Sequence, residues 1–201
     1  MITTIIFDLG AVLIDWNPHY LYRSIFDSKE EMEHFLANIC TSDWNEEQDA
    51  GRSLQEGTEI LVQQFPEHED NIRLFYRRWH EMLGDAFEDT VDIFRQLKET
   101  GKYKIYALTN WSAETFPIAL ERYEFLQWFD GIVVSGAEKM RKPTPEFYQI
   151  LLDRYDVNSE DALFIDDNKR NVLAAEKMGI KSIHFTSADQ LKTELLELNI
   201  I

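Results

Sequence analysis

Cysteine is nearly absent from this chain of 201 residues: Cys40 stands alone, which excludes an internal disulfide and any zinc site built on cysteine pairs. No apolar run approaches the roughly 20 residues that a membrane-spanning helix needs. Positive charge is scarce, with 20 Lys and Arg against 37 Asp and Glu, a net charge of −17. That deficit argues against nucleic acid as a partner, because neutralising phosphates takes clustered Lys and Arg. It argues equally against docking on an anionic membrane. The opening stretch has no basic leader and meets Asp8 within its first apolar run, so it reads as a strand rather than a signal peptide, and a cytoplasmic setting is expected. Repeats, low-complexity tracts and Pro/Gly/Ser linkers are missing too. What is present, 44% apolar and 28% charged residues, is the composition of a globular fold with room for one domain, or one domain with an insert.

Five short β-branched apolar runs stand out: residues 2–7 (ITTIIF), 103–108 (YKIYAL), 131–135 (GIVVS), 162–165 (ALFI) and 182–185 (SIHF). Near-continuous apolarity over four to six residues fits strands buried on both faces of a parallel sheet. Helical spacing fills 90–99, 114–123, 145–155, 170–178 and 188–198 between and after them. Strands alternating with helices predict a doubly wound, Rossmann-like α/β sheet. The alternation breaks once. After the first strand, about seventy residues show helical spacing (20–39, 54–65, 71–83) and no convincing strand, and 26–71 carries 13 acidic side chains against Lys29 and Arg52. An α/β core of residues 1–14 and 85–201 interrupted by a small acidic helical insert at 15–84 is therefore expected. Sheet-covering helices of a single compact unit are the alternative.

Ligands of open parallel sheets bind at the carboxyl ends of the strands. There the sequence places Asp8 after the first strand, Thr109 and Asn110 after the second, Arg141 and Lys142 beyond the third, and the pair Asp166–Asp167 after the fourth. Three converging carboxylates repel one another unless a cation lies among them. All-oxygen ligands suit Mg2+, which takes one or two carboxylates plus waters and substrate phosphate. A carboxylate nucleophile, Mg2+, a lysine and short hydrogen-bond donors together make a site for phosphoryl transfer through an aspartyl-phosphate. Each residue also has a plainer reading. Asp8 can cap a turn, Asp166 and Asp167 can start a helix, and Lys142 can be a solvated loop lysine.

FDLGAV, LTN, RKPTPEFY and FIDDNxxN, in that order at four strand ends, resemble the motifs of the haloacid dehalogenase (HAD) superfamily of hydrolases. The resemblance covers nearly the whole chain. The stretches DLGAV, MRKPTPEFYQ and FIDDN are most similar to the sugar-phosphate phosphatase branch that includes α-D-glucose-1-phosphate phosphatase. It implies a Mg2+-dependent phosphatase acting on a small phosphorylated metabolite, a sugar phosphate by analogy with that branch, with Asp8 as nucleophile and the insert as a helical cap. Asp8, Asp166, Asp167 and the Gly10 carbonyl would hold Mg2+. Thr109 and Asn110 would bind the phosphoryl oxygens, Lys142 would stabilise charge on both Asp8 and the phosphoryl group, and Asn171 would support the metal ligands from behind.

One position departs from the pattern. Most phosphatases of the family carry a second Asp two residues after the nucleophile, where it protonates the leaving group; here that position is Gly10. Such an acid contributes roughly 10²–10⁴-fold. The gap leaves three readings: a good leaving group, a proton from Asp15 or a cap residue, or a catalytically weak phosphate-binding or regulatory protein. A 2-haloacid dehalogenase, which also lacks that Asp, is a further alternative, although the acidic pair favours a metal. Trp44, Asp49, Gly51 and Arg52 could form a loop that reads the leaving group, with surface helix and turn as the plainer reading. Trp111 reads as packing, Cys40 as a buried helix-face residue, and His19 stays unassigned.

Overall fold

The computed structural model describes residues 1–201. Its central sheet has five parallel strands: β1 (Thr4–Phe7), β4 (Lys104–Thr109), β5 (Gly131–Val134), β6 (Ala162–Asp166) and β7 (Lys181–His184), in the spatial order β5-β4-β1-β6-β7. β1 runs down the middle, with Ile6 beside Tyr106 on one side and Phe164 on the other. Its four residues are all buried, as are the five of β6, so neither strand shows the alternation of a half-exposed one. Successive side chains still part to opposite faces. Ile5 and Phe7 join the larger apolar cluster with Ile105, Ala107 and Leu163, while Ile6 joins Tyr106, Leu108 and Phe164 in the smaller one.

Helices α9 (Pro145–Arg154) and α10 (Lys169–Lys177) cover the face of the smaller cluster through Phe147, Tyr148, Leu151 and Ala175. Helices α6 (Glu88–Glu99) and α11 (Ala188–Glu197) cover the other through Phe94, Leu97, Leu191 and Leu195. Short helices α7 (Phe116–Arg122) and α8 (Ser135–Glu138) follow β4 and β5. The doubly wound fold is therefore present. The chain leaves β1 toward β4 and returns to β6 on β1's other side, so the crevice between the carboxyl ends of β1 and β6 is the place for a ligand.

The helix-rich segment after β1 holds α1 (His19–Tyr22), α2 (Lys29–Asn38), α3 (Ser42–Asp49), α4 (Leu54–Gln64) and α5 (Glu69–Arg77). Ser28, Thr41 and Ser53 start the middle three by accepting the backbone N–H of Glu31, Trp44 and Glu56. The Ser28 cap also explains why the single expected helix at 20–39 is two: the chain must leave helical geometry to present that oxygen.

The expectation of no strand in this interval is corrected. β2 (Ile14–Trp16) and β3 (Leu83–Ala86) form an antiparallel ribbon where the helical segment departs and returns. Three and four residues are too few to show a period of two, and Gly84 and Asp85 are poor strand formers. The larger apolar cluster runs without a break from the sheet through Leu13, Ile14, Met82 and Leu83 to Tyr22, Phe35 and Phe75. At the opposite end the contacts are polar: Arg141 meets Glu46 at 2.8 Å, and the N–H of Leu54 donates to Glu114 at 2.8 Å. No helix is long and apolar enough to cross a membrane.

Candidate active site

Asp8 is the first residue past β1. Its N–H still donates to Ile165 at 2.8 Å, which ties it to β6. Its Oδ1 accepts the Leu9 N–H at 2.7 Å and lies 2.9 Å from Lys142 Nζ, whereas Oδ2 accepts no hydrogen bond. The chain then turns through Gly10 and the left-handed Ala11 (φ 57), whose N–H donates to Ile14. A non-glycine residue held there is strained, and such strain collects at functional turns.

Lys142, 1% exposed, is the centre of charge. Nζ reaches Asp166 Oδ2 at 2.7 Å as well as Asp8. Burial pulls its pKa down, but Asp166 and Asp8 outweigh burial and hold it above the usual lysine value. Asp166, wholly buried at the end of β6, accepts the Asn168 N–H at 2.7 Å and the Asn171 amide at 3.1 and 3.0 Å on its two oxygens. Asn171 is itself fixed by Tyr148, whose hydroxyl donates to its carbonyl at 2.9 Å. Asp167 is exposed, and one carboxylate oxygen from each of Asp8, Asp166 and Asp167 lies within 4.8 Å of the others.

Three acids against one lysine leave an excess of negative charge. Asp8 registers it: burial first, then Asp166 and Asp167, push its carboxyl up to about 7 despite the opposing pull of Lys142. An all-oxygen donor set with uncompensated charge fits a hard divalent cation. Two further polar atoms await partners here. The buried Thr109 hydroxyl and the Asn171 Oδ1 make no hydrogen bond within the protein. A buried hydroxyl of that kind costs about 1–3 kcal/mol unless something bonds it.

The side chain of Asn110 does something its position in the sequence did not indicate. Its amide donates to the Lys142 carbonyl at 3.0 Å and its Oδ1 accepts the Lys142 N–H at 2.8 Å, so β4 clamps the backbone that carries the lysine. The peptide that follows, Lys142–Pro143, is cis. Beside Gly10 and Asn110 lies a cavity of about 100 Å3, walled by Trp16, Trp79, Trp111, Asn45, Asp49 and Tyr76 among others. Trp111 packs against Trp79 and Phe116 as expected of a core aromatic, yet it also faces this cavity, and its indole N–H, like that of Trp16, has no partner. His19 lies elsewhere, bonded to Asn17 and Glu33.

Comparison with known proteins identifies the family. Residues 5–185 match the family profile described as haloacid dehalogenase-like hydrolase. The sesquiterpene phosphatase astK of Aspergillus oryzae is 30% identical over 193 residues, covering 96% of this chain and 94% of its own. A phosphorylated carbohydrates phosphatase of Thermotoga maritima is 30% identical over 190 residues, covering 90% and 83%. A HAD family enzyme of Bacteroides thetaiotaomicron, crystallised as a magnesium complex, superposes with a TM-score of 0.72 at 19% identity over 92% of this chain and 93% of that one. The chain belongs to the haloacid dehalogenase-like hydrolase family.

Proposed function

We propose that the protein is a Mg2+-dependent phosphatase that hydrolyses a small phosphorylated metabolite through an aspartyl-phosphate on Asp8. The observation that carries this reading is the asymmetry of Asp8: Oδ1 is held by Lys142 and the Leu9 N–H, while Oδ2 is free to attack, at the mouth of an acid triad. Asp8, Asp166, Asp167 and the Gly10 carbonyl would hold the cation, with Asp166 acting directly or through water. Bound there, Mg2+ would neutralise charge on the carboxylates and the phosphoryl oxygens. Oδ2 of Asp8 attacks phosphorus as the bond to the leaving oxygen breaks, and water then attacks the phosphoryl group to return the carboxylate and release phosphate. Lys142 offsets charge on both, the Thr109 hydroxyl and the Asn110 backbone bond the phosphoryl oxygens, and Asn171 keeps Asp166 oriented.

Residues 15–84 serve in this reading as a cap over the strand ends. The cavity beneath it, about 100 Å3, is well under the roughly 300–1,000 Å3 of ligand pockets, so a leaving group of any size requires the cap to shift. Contact that is apolar at the β2–β3 end and polar at the mouth suits a hinge at the former and parting at the latter. The relatives' names point to carbohydrate, sesquiterpene and pyrophosphate substrates. The polar and indole-lined cavity favours a sugar phosphate, and a cytoplasmic location accords with the free thiol of Cys40.

The test is phosphate release from a panel of phosphate monoesters with Mg2+, beside chelator-treated protein and Asp8→Asn. Turnover is expected to fall at least about 10³-fold in both controls. Turnover that persists in either overturns the reading, and release of halide from a 2-haloalkanoate without metal favours the dehalogenase instead. Tight phosphate binding with no turnover favours the regulatory alternative.

A further inference from the structure

Breaking the bond between phosphorus and an alkoxide requires a proton at the leaving oxygen, and Gly10 has none to give. The acids around the site narrow quickly. Asp15 is taken by the Tyr20 hydroxyl and sits against Gly84 in the ribbon, away from the cavity wall. Glu46 faces outward in ion pairs with Arg141 and Arg170. Asp8, Asp166 and Asp167 are occupied with Lys142 and one another. Asp49, at the C-terminal end of α3, is the one acid on the wall of the cavity that Gly10 and Asn110 border.

We propose that Asp49 is the proton donor of the reaction, reaching the leaving oxygen from the cap in place of the acid missing at Gly10. This rests on the phosphatase reading above. In the first step the Asp49 carboxyl gives its proton to the leaving oxygen as that oxygen parts from phosphorus and Asp8 Oδ2 bonds to it. In the second, the Asp49 carboxylate takes a proton from the attacking water as oxygen bonds phosphorus and the Asp8 ester breaks. The carboxyl, the Asp8 carboxylate and inorganic phosphate result, and no other reactant is consumed.

The fold fixes Asp49 for the task. Its backbone carbonyl accepts the Ser135 hydroxyl, and two residues on, Gly51 turns at φ +100 against Lys139 and Gly136. A Cβ at Gly51 would lie 2.9 Å from Lys139 Cγ and tight against the Lys139 and Gly136 backbone, and the φ of +100 there is one that other residues rarely adopt, so the approach needs glycine. The amide of Asn45 donates to the Asp49 carboxyl at 3.4 Å. Burial, with Glu46 adding to it, holds the carboxyl up at about 7 against the lowering influence of the Ser112 backbone and Arg141. Tyr76, across the cavity from α5, is the other titratable group facing it, and it is raised well above its ordinary value by burial. An acid poised near neutrality can both give and retake a proton.

The experiment compares Asp49→Asn with wild type, both with Mg2+, on an alkyl phosphate and on p-nitrophenyl phosphate, whose phenolate leaves with little protonation. The expected result is a loss of kcat of roughly 10²–10⁴-fold on the alkyl ester, less than about 10-fold on the aryl ester, and disappearance of the fall in kcat above about pH 7. Adding Gly10→Asp to that variant should restore part of the alkyl rate, since a Cβ at Gly10 meets nothing within 4 Å. Equal losses on both esters, or no loss, overturn the assignment while leaving the phosphatase reading standing. A wild type inert on both esters and on the whole panel removes that reading, and the role of Asp49 with it.

Discussion

Asp8 stands at the end of the sheet and Asp49 on the helical insert, lining a cavity that Gly10, two residues beyond Asp8, also borders, and burial lifts both carboxyls to about 7. Their surroundings differ in one respect. Asp8 has Lys142 at 2.9 Å and two further carboxylates beside it, whereas Asp49 has no ion pair, and Arg141, the cation that lowers it, is committed to Glu46 and Glu47. The sheet end is thus a cluster with an excess of negative charge, in which Asp8 can be ionised once further positive charge is supplied. The insert offers an acid with no such partner, whose neutral form is favoured near neutrality. Nucleophile and proton donor need opposite protonation states; a cation bound among the three carboxylates would favour the ionised form of Asp8, while Asp49, outside that triad, keeps its raised value.

The largest expected effect comes from removing that lysine. Lys142→Met leaves Asp8 and Asp166 buried without a counter-charge, and removing one partner of a buried ion pair costs about 3–5 kcal/mol. Denaturant unfolding of chelator-treated protein should show a loss of that order, with kcat down at least about 10³-fold. A loss under about 1 kcal/mol would mean that Lys142 does not balance the cluster, and the contrast between the two acids would vanish. Asn110→Ala separates geometry from charge: Lys142 keeps its charge but loses its backbone clamp, so kcat should fall about 10–100-fold with a stability loss of only about 1–2 kcal/mol.

The sheet side was legible in the sequence for a physical reason. A strand buried on both faces has no choice but a run such as IIF or LFI, and the first polar residue after it marks the carboxyl end where ligands bind. Asp8, Thr109 and Asp166 are each such a residue. The insert gave no equivalent marker. The sequence singles out Asp49 only with Trp44, Gly51 and Arg52, as a loop that could read the leaving group, and nothing local marks it as an acid unlike the other 12 in 26–71; its environment is made by Ser112, Trp111 and Arg141, more than sixty residues away. The Asn110 clamp and the ribbon of β2 and β3 were hidden likewise, being contacts across the chain rather than patterns along it. The one available hint was a subtraction: an acid absent at Gly10 had to be supplied from elsewhere.

A smaller effect tests whether Asp49 is the strained acid that the contrast requires. Its folded pKa lies above the unfolded value, so the stability tied to its neutral form is complete below about pH 3.9 and lost as pH rises through about 7. Asn carries no charge at any pH. The melting temperature of Asp49→Asn should therefore climb above that of wild type between pH 5 and pH 7 and then run parallel, the gap reaching about 2–8 °C, or about 1–2 kcal/mol. A gap that does not change with pH would make Asp49 an ordinary solvated acid.

Asp130 sharpens the same contrast from the other side. It lies before β5, with burial pushing its carboxyl up, yet Lys98 at 2.8 Å, the Ile105 N–H at 2.9 Å and Lys104 at 3.4 Å outweigh burial and hold it below the usual carboxylate value. The sign of its linkage is the reverse of that of Asp49. Its stabilisation is in place above about pH 3.9 and is lost as pH falls through the lower folded value. Asp130→Asn keeps an oxygen for the Ile105 N–H and removes only the charge, so the expected loss at pH 7 is about 1 kcal/mol, partly screened by salt. Urea titrations should show that deficit closing toward pH 3, while the Asp49→Asn gain opens toward pH 7. If both variants shift in the same direction with pH, cationic partners do not distinguish these acids, and burial alone sets their behaviour.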